Sequence, residues 1–156
     1  MKFSSKEDVE APIGLVFDLL ADFETHERQA IRRGIEVQRT HTRTEPGVGM
    51  SWHALFDLRG KKRDIDVVVS AYDPPNSIHF TSDTQGLHGF TTLELIELSP
   101  RRTRMAIEVD LKPKTLAARL LVQSMKLAKK TLTKRFKLRV ADYAKALEGR
   151  SGTRAS

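Results

Sequence analysis

The sequence predicts an α+β fold in which an antiparallel sheet is covered by one long C-terminal helix. Between residues 35 and 111, apolar and polar residues alternate, and turn signals recur at the regular spacing of an antiparallel meander. Between residues 114 and 148, apolar residues recur instead at spacings of three and four, the period of an amphipathic helix. A sheet with a single apolar face needs such a cover.

The chain is predicted to begin with a short strand and two helices. Pro12 follows the strand at residues 2 to 9 and fits the first position of a helix, where its missing N–H is no loss. This helix should run from about residue 12 to residue 23. Thr25 can cap a second short helix, and Gly34 would end that helix in a left-handed conformation.

Five turn signals divide the middle of the chain into six further strands, so the predicted sheet has seven. The signals fall at residues 45–49, 59–62, 73–76, 83–86 and 99–102. In one strand Trp52, Ala54 and Phe56 share one face and polar residues share the other, which indicates that one face of the sheet meets solvent. The strand at 87–98 breaks this alternation, and a bulge would reconcile it.

The C-terminal helix carries the positive charge of the chain. The net charge is +7 over 156 residues, and residues 114 to 148 contain ten Lys or Arg against two acidic residues. A helix over these residues would be about 52 Å long at 1.5 Å per residue. Its predicted apolar stripe consists of Leu121, Met125, Ala128, Leu132, Phe136, Val140, Tyr143 and Leu147.

Length and composition indicate a single domain, predicted over residues 1–148, with a disordered tail at 149–156. The chain has no cysteine, which excludes a disulfide framework and thiolate chemistry. Neither a secretory apolar segment nor a bilayer-spanning run is present, so a cytoplasmic protein is expected. Scattered histidines and the lack of known cofactor motifs predict no metal site and no cofactor.

Several short motifs resemble those of the helix-grip, START-like superfamily (SRPBCC), and the resemblance covers almost the entire chain. The motifs are Val9-Glu10-Ala11-Pro12 followed by Val16-Phe17 and Asp22, the turn Pro46-Gly47-Val48-Gly49 before a Trp-containing strand, the turn Tyr72-Asp73-Pro74-Pro75, and Arg102-Thr103-Arg104. The superfamily includes the polyketide cyclase/dehydrase and lipid-transport group and the birch-pollen-allergen-like proteins. The resemblance implies a curved sheet around the C-terminal helix, with a cavity between them that many members use for hydrophobic small molecules.

We therefore expect the protein to bind or transport a hydrophobic small molecule of lipid, aromatic or polyketide-like type. A flanking row of apolar residues widens the apolar face of the C-terminal helix, so that it could line a pocket as well as pack. Core packing alone would also explain these residues. The expected lining residues are Trp52, Phe56, Val67, Phe80 and Ile107 on the sheet and Leu120, Ser124 and Leu127 on the helix.

No dedicated catalytic site is predicted. By strict alternation Arg39 and His41 fall on the inward side of their strand, where they could bind an anionic group and transfer protons. A twisted edge strand would instead turn both into solvent. A cofactor-free cyclase or dehydratase that uses these two residues is one alternative function, and a regulatory module with a filled core is another.

The basic face of the C-terminal helix, with Lys126, Lys130, Lys134 and Lys137, has several possible uses. It could be a solvated face that confers solubility. Alternatively, it could dock on an anionic membrane surface or on an acidic protein such as an acyl carrier. Nucleic acid is the least favoured partner, because no exposed aromatic residues interleave with the basic ones as stacking platforms.

Overall fold

The computed structural model describes residues 1–58 and 60–155. Arg59, in the predicted turn at 59–62, and Ser156, the last residue of the predicted tail, lie outside this part of the chain. The prediction of an α+β fold with seven strands is confirmed. The elements in chain order are β1 (Lys2–Val9), α1 (Ile13–Leu20), α2 (Phe23–Arg32), β2 (Glu36–Arg39), β3 (Ser51–Leu58), β4 (Lys61–Asp73), β5 (Ser77–Thr84), β6 (Leu87–Ser99), β7 (Arg102–Pro113), α3 (Leu116–Leu127) and α4 (Lys129–Ala155).

The seven strands form one antiparallel sheet in the order β1-β7-β6-β5-β4-β3-β2. Strands β2 to β7 follow one another as neighbours, as expected of a meander. Strand β1 pairs with β7, from Lys2 opposite Asp110 to Val9 opposite Thr103. Because β1 and β2 lie at opposite edges, α1 and α2 must connect the two edges across one face of the sheet.

The core lies between that face and helices α1, α2 and α4. Its most deeply buried members come from the sheet and from the helices. Thr103 lies among them, and its hydroxyl donates a hydrogen bond to the carbonyl of Ala11 at 2.8 Å, which satisfies a buried polar group. The fully buried side chains are Leu19, Ile78, Met105, Leu147, Val9, Val16, Val69 and Thr103.

The N-terminal helices differ from the prediction in one cap and one boundary. Helix α1 ends at Leu20, and Asp22, not Thr25, caps α2. The Asp22 carboxylate accepts hydrogen bonds from the Thr25 amide at 3.3 Å and the Thr25 hydroxyl at 2.7 Å. An Asp at the N-cap favours a hydrogen bond from the backbone amide three residues later. Thr25 therefore donates to the cap and is not the cap itself. Gly34 follows α2 with a φ of +86°, as predicted.

The predicted single C-terminal helix is two helices, which meet at Ala128. The backbone of Ala128 has φ −107° and ψ 18°, outside the helical range. Helix α4 buries Val140, Ala144 and Leu147 in the core, whereas α3 packs through Ala118 and Val122 against the far end of the sheet. The apolar spacing continues through Ala128, so the sequence pattern alone did not reveal the break.

Helix α4 also extends further than the sequence predicted. Residues 149–155 are helical, where a disordered tail was expected. The Arg150 guanidinium donates to the Asp22 carboxylate at 3.1 Å, and Ser151 is buried, so tertiary contacts hold this segment. Among the described helices, none combines the length and hydropathy that a membrane span requires.

Strand β6 has a bulge between Glu97 and Ser99, but this lies at the end of the strand and is not what orders the apolar pattern, contrary to the prediction. Ordinary alternation already places the apolar residues of this strand on two faces. Leu95 is buried in the core and Leu93 packs against it, whereas Phe90, Ile96 and Leu98 are exposed on the opposite face.

Candidate functional site

The apolar groove is an open cavity of about 680 Å³ between α2 and the inner face of β2 to β6. This volume lies within the range of about 300–1,000 Å³ that is typical of small-molecule sites. Tyr143 of α4 also contributes to its lining. The lining residues are Leu20, Phe23, His26, Glu27, Gln29, Ala30, Arg33, Ile35, Val37, Trp52, Ala54, Phe56, Ile65, Val67, Phe80, Leu93 and Tyr143.

Two sequence periods bring these residues together. On β3 the alternation turns Trp52, Ala54 and Phe56 to the inner face, and Trp52 and Ala54 lie opposite Val67 and Ile65 of β4. On α2 most of the lining residues follow Phe23 at spacings of three, four and seven, namely His26, Glu27 and Ala30, and Gln29 lies beside them. One face of a short helix therefore closes one face of the sheet.

Aromatic contacts form the floor of the groove. The ring of Phe23 lies 5.2 Å from that of Trp52 and 6.2 Å from that of Phe80, the latter at an interplanar angle of 89°. Edge-to-face and tilted pairs at these distances contribute about 0.5–1.5 kcal/mol each beyond the area that they bury. Phe23 and Trp52 are both buried, so they hold the groove wall in place.

The Glu27 carboxylate is held at the rim of the groove by two donors. The Trp52 indole Nε1 donates to Oε1 at 2.9 Å, and the Arg39 Nε donates to Oε1 at 2.8 Å and to Oε2 at 3.0 Å. The hydrogen bond to Glu27 raises the pKa of Arg39 above its ordinary value. The positive charge of Arg39 is thus committed to Glu27 and does not face the groove.

His26 and Tyr143 form a polar pair in the lining of the groove. His26 Nε2 lies 3.1 Å from the carbonyl oxygen of Leu20 and 3.4 Å from the Tyr143 hydroxyl. Because the carbonyl can only accept, we assign the imidazole proton to Nε2 and the lone pair to Nδ1. Burial lowers the pKa of His26 and raises the pKa of Tyr143 to about 12, so both groups are neutral at neutral pH.

A second cleft, the arginine cleft, runs between α2 and α4 and has a volume of about 840 Å³. It shares Gln29, Arg33 and Tyr143 with the apolar groove, so the two spaces adjoin. Arg150 is paired with Asp22, which offsets part of the positive charge. The residues that line the cleft are Gln29, Arg32, Arg33, Arg139, Asp142, Tyr143, Ala146, Leu147 and Arg150.

The structure places four of the eight expected ligand residues in the groove: Trp52, Phe56, Val67 and Phe80. Ile107 packs against the core outside it. Leu120, Ser124 and Leu127 do not line the groove, because α3 turns Ala118 and Val122 inward and leaves these three exposed. The C-terminal helix was expected to form one wall of the groove. That wall is formed mainly by α2, and α4 contributes Tyr143.

Arg39 and His41 do not enter the groove either. Arg39 pairs with Glu27 at the edge of the sheet. The His41 ring packs against Trp52 at a centroid distance of 5.4 Å, and its Nδ1 contacts the Ser51 backbone, with 2.9 Å to the amide nitrogen. Both side chains support the position of neighbouring residues.

The proposed basic surface is exposed. Lys126, Lys130, Lys134 and Lys137 all lie in contact with solvent, and no acidic side chain in the described part of the chain lies within 4.0 Å of their ammonium groups. Within residues 1–58 and 60–155, no group of three or more His, Asp or Glu side chains is arranged to hold a metal ion.

His26, Glu27 and Tyr143 line the groove but were not predicted to do so. A signal was present for the first two: they follow Phe23 by three and four residues and so share its helical face. Tyr143 was assigned to the packed stripe of the C-terminal helix. Which part of that stripe reaches a cavity depends on the orientation of α4 and is not contained in the spacing.

No family model and no curated protein matches the chain. Solved structures do match it. A protein from Thermus thermophilus is similar over 100% of both chains, with 18% identity and a TM-score of 0.68. The Zhui aromatase/cyclase from Streptomyces sp. R1128 is similar over 100% of this chain and 96% of its own, with 15% identity and a TM-score of 0.66.

A START superfamily protein from Mycobacterium smegmatis is similar over 86% of this chain and 95% of its own, with 14% identity and a TM-score of 0.56. At sequence identities this low, the similarity establishes the fold and nothing about function. The element order, the seven-stranded antiparallel sheet and the C-terminal helix against its inner face agree with that fold. The chain therefore has the helix-grip fold of the START-like superfamily.

Proposed function

We propose that the protein binds a hydrophobic small molecule, of lipid, aromatic or polyketide-like type, in the apolar groove. The observation that carries this proposal is an open space of about 680 Å³ with a mainly apolar and aromatic lining and a few polar groups at its rim. Such a space favours a binding role over the alternative of a regulatory module with a filled core.

The arginine cleft favours a ligand with an anionic end. Arg33 lines both the groove and the cleft, and Arg32 and Arg139 lie beyond it. A ligand that places its apolar body on Trp52 and Phe56 would therefore direct its polar end towards guanidinium groups. Guanidinium groups bind carboxylate, sulfonate and phosphate groups through charge-assisted hydrogen bonds.

A cofactor-free cyclase or dehydratase remains the alternative, and the His26–Tyr143 pair is the observation that favours it. A neutral imidazole can accept a proton, and a tyrosine with a pKa of about 12 remains a donor. This reaction would use His26 and Tyr143, since Arg39 and His41 lie outside the groove. Conversion of a bound ligand by the wild type, and its loss in His26→Gln with unchanged affinity, would support this alternative.

Two fluorescent probes test the binding proposal. Anilinonaphthalene sulfonate has an aromatic body and a negative charge, whereas phenylnaphthylamine is a similar neutral molecule. Ala54→Phe adds a ring to the groove wall and should weaken the binding of both probes. Arg33→Gln should weaken only the sulfonate, by about threefold, because an exposed charge pair contributes roughly 0.2–1 kcal/mol.

Arg28→Gln is the matched control, because Arg28 lies on α2, the helix that Arg33 follows directly, but outside both spaces. Circular dichroism establishes that each variant is folded. Equal binding of both probes to Ala54→Phe and the wild type would refute the groove as the site. Equal losses for both probes in Arg33→Gln would refute the anionic end while leaving the groove in place.

A further inference from the structure

A row of exposed leucines, the leucine row, lies on α3 opposite its packed face. Its members Leu116, Leu120 and Leu127 are 73%, 62% and 92% exposed. Spacings of four and eleven residues are close to one and three turns of an α-helix, so the three side chains project from one side. The packed side consists of Ala118 and Val122, which are buried. An exposed apolar row of this kind indicates an interaction surface.

Exposed basic residues lie beside the leucine row and directly after it in the chain. Arg119 and Lys126 lie on α3 itself, and Lys129, Lys130 and Lys134 follow in the first turns of α4; all five are exposed. The sequence from residue 114 to residue 141 contains no Asp or Glu. The positive charge along this stretch is therefore not offset by neighbouring carboxylates.

We propose that α3 docks on an anionic lipid membrane, with the leucine row at the boundary between headgroups and acyl chains. An apolar row flanked by Lys and Arg on one helix is the pattern of an interfacial membrane helix. The basic residues then meet lipid phosphates and carboxylates. A second copy of the chain would instead bring two uncompensated basic surfaces together, so charge complementarity favours the membrane as the occupant.

The geometry of α3 suits this role. The row projects from the outward side of a helix and lines none of the three cavities described among these residues, so it is open to a flat surface. The surface lies apart from the apolar groove, since no residue of α3 lines that groove. The proposal is therefore independent of groove binding.

Co-sedimentation with lipid vesicles tests the proposal. The wild type should sediment with vesicles that contain phosphatidylserine and much less with vesicles of phosphatidylcholine alone. The double variant Leu120→Gln/Leu127→Gln removes two apolar side chains from the row and retains helix propensity. Its partitioning to phosphatidylserine vesicles should fall at least about tenfold, because each buried leucine favours insertion.

Ile31→Gln is the matched control, because Ile31 is a 56% exposed apolar residue on α2, away from the row. It should sediment like the wild type. Lys126→Gln/Lys130→Gln should lose most of the preference for phosphatidylserine. Thermal unfolding measures whether each variant is folded, and the exposed sites should leave the melting temperature unchanged.

Three results would overturn the proposal. The first is wild-type protein that does not sediment with phosphatidylserine vesicles. The second is a Leu120→Gln/Leu127→Gln variant that sediments as the wild type does, which would leave the row without a part in binding. The third is a wild-type dimer in size-exclusion chromatography that this double variant converts to a monomer, which would make the row a contact between copies.

Discussion

Replacement of Glu27 by alanine tests the polar cluster at the rim of the groove. The change removes the acceptor of the Trp52 indole N–H, at 2.9 Å, and the partner of Arg39, at 2.8 Å. Trp52 is buried, so a lost acceptor is not readily replaced by water. A hydrogen bond to a charged group contributes about 1.5–3 kcal/mol to stability.

The ion pair between Arg39 and Glu27 contributes less to stability than its short distance suggests. The Arg39 side chain is 47% exposed and that of Glu27 is 18% exposed, so solvent screens their attraction. An exposed pair contributes about 0–1 kcal/mol. We therefore expect Glu27→Ala to lower the free energy of unfolding by about 2–3 kcal/mol, and Arg39→Gln, which leaves the indole hydrogen bond intact, by less than about 1 kcal/mol.

Urea unfolding followed by the fluorescence of Trp52, the single tryptophan, measures this difference. For a typical slope of about 2 kcal/mol per molar urea, the midpoint of Glu27→Ala should fall by about 1 M. Glu27→Gln retains a side-chain oxygen as acceptor and should lie between the two. Equal midpoints for Glu27→Ala and Arg39→Gln would refute the reasoning, because the indole hydrogen bond would then contribute nothing.

Three further predictions concern stability. Leu147→Ala, at a fully buried site, should cost about 2–5 kcal/mol, whereas Leu127→Ala, at a 92% exposed site, should change stability by less than about 0.5 kcal/mol in the same thermal unfolding series. Gly34→Ala should destabilise the protein by about 1 kcal/mol, because Gly34 has a φ of +86°. Gly14→Ala, in α1 with open space around the added methyl group, should stabilise it by about 0.5–1 kcal/mol. If urea unfolding gave changes of the same sign for the two variants, this reasoning would be contradicted. Because burial lowers the pKa of His26, the unfolded chain binds the proton more readily, so this group stabilises the fold above about pH 6.5 and the contribution is lost as the pH falls. His26→Gln should therefore show a smaller loss of stability between about pH 8 and about pH 5, and an unchanged loss would contradict this.

The elements of the fold followed from local rules. Alternation and turn residues predicted β3 to β7, and the left-handed glycine after α2 was predicted from its position. The groove side of the sheet was also predictable, because a period of two decides which side chains share a face. Trp52 and Phe56 therefore lie where the alternation placed them.

The residues on helices were harder to place. A spacing of three and four assigns Leu120 and Leu127 to one helical face, but it does not say what that face contacts. Helix α3 ends at Leu127 and α4 begins at Lys129, and the two helices pack in different clusters of the core. The face predicted to line a cavity thus becomes the exposed leucine row.

The sequence by itself determined the fold class, the strand order of the meander and the concentration of positive charge near the C-terminus, because each depends on near neighbours in the chain. Only the tertiary structure decided that α2 closes the groove, that Glu27 meets Arg39 and Trp52, and that His26 meets Tyr143, 117 residues away. These contacts depend on how helices lie across the sheet. That arrangement is set by packing between distant segments, which local periodicity does not encode.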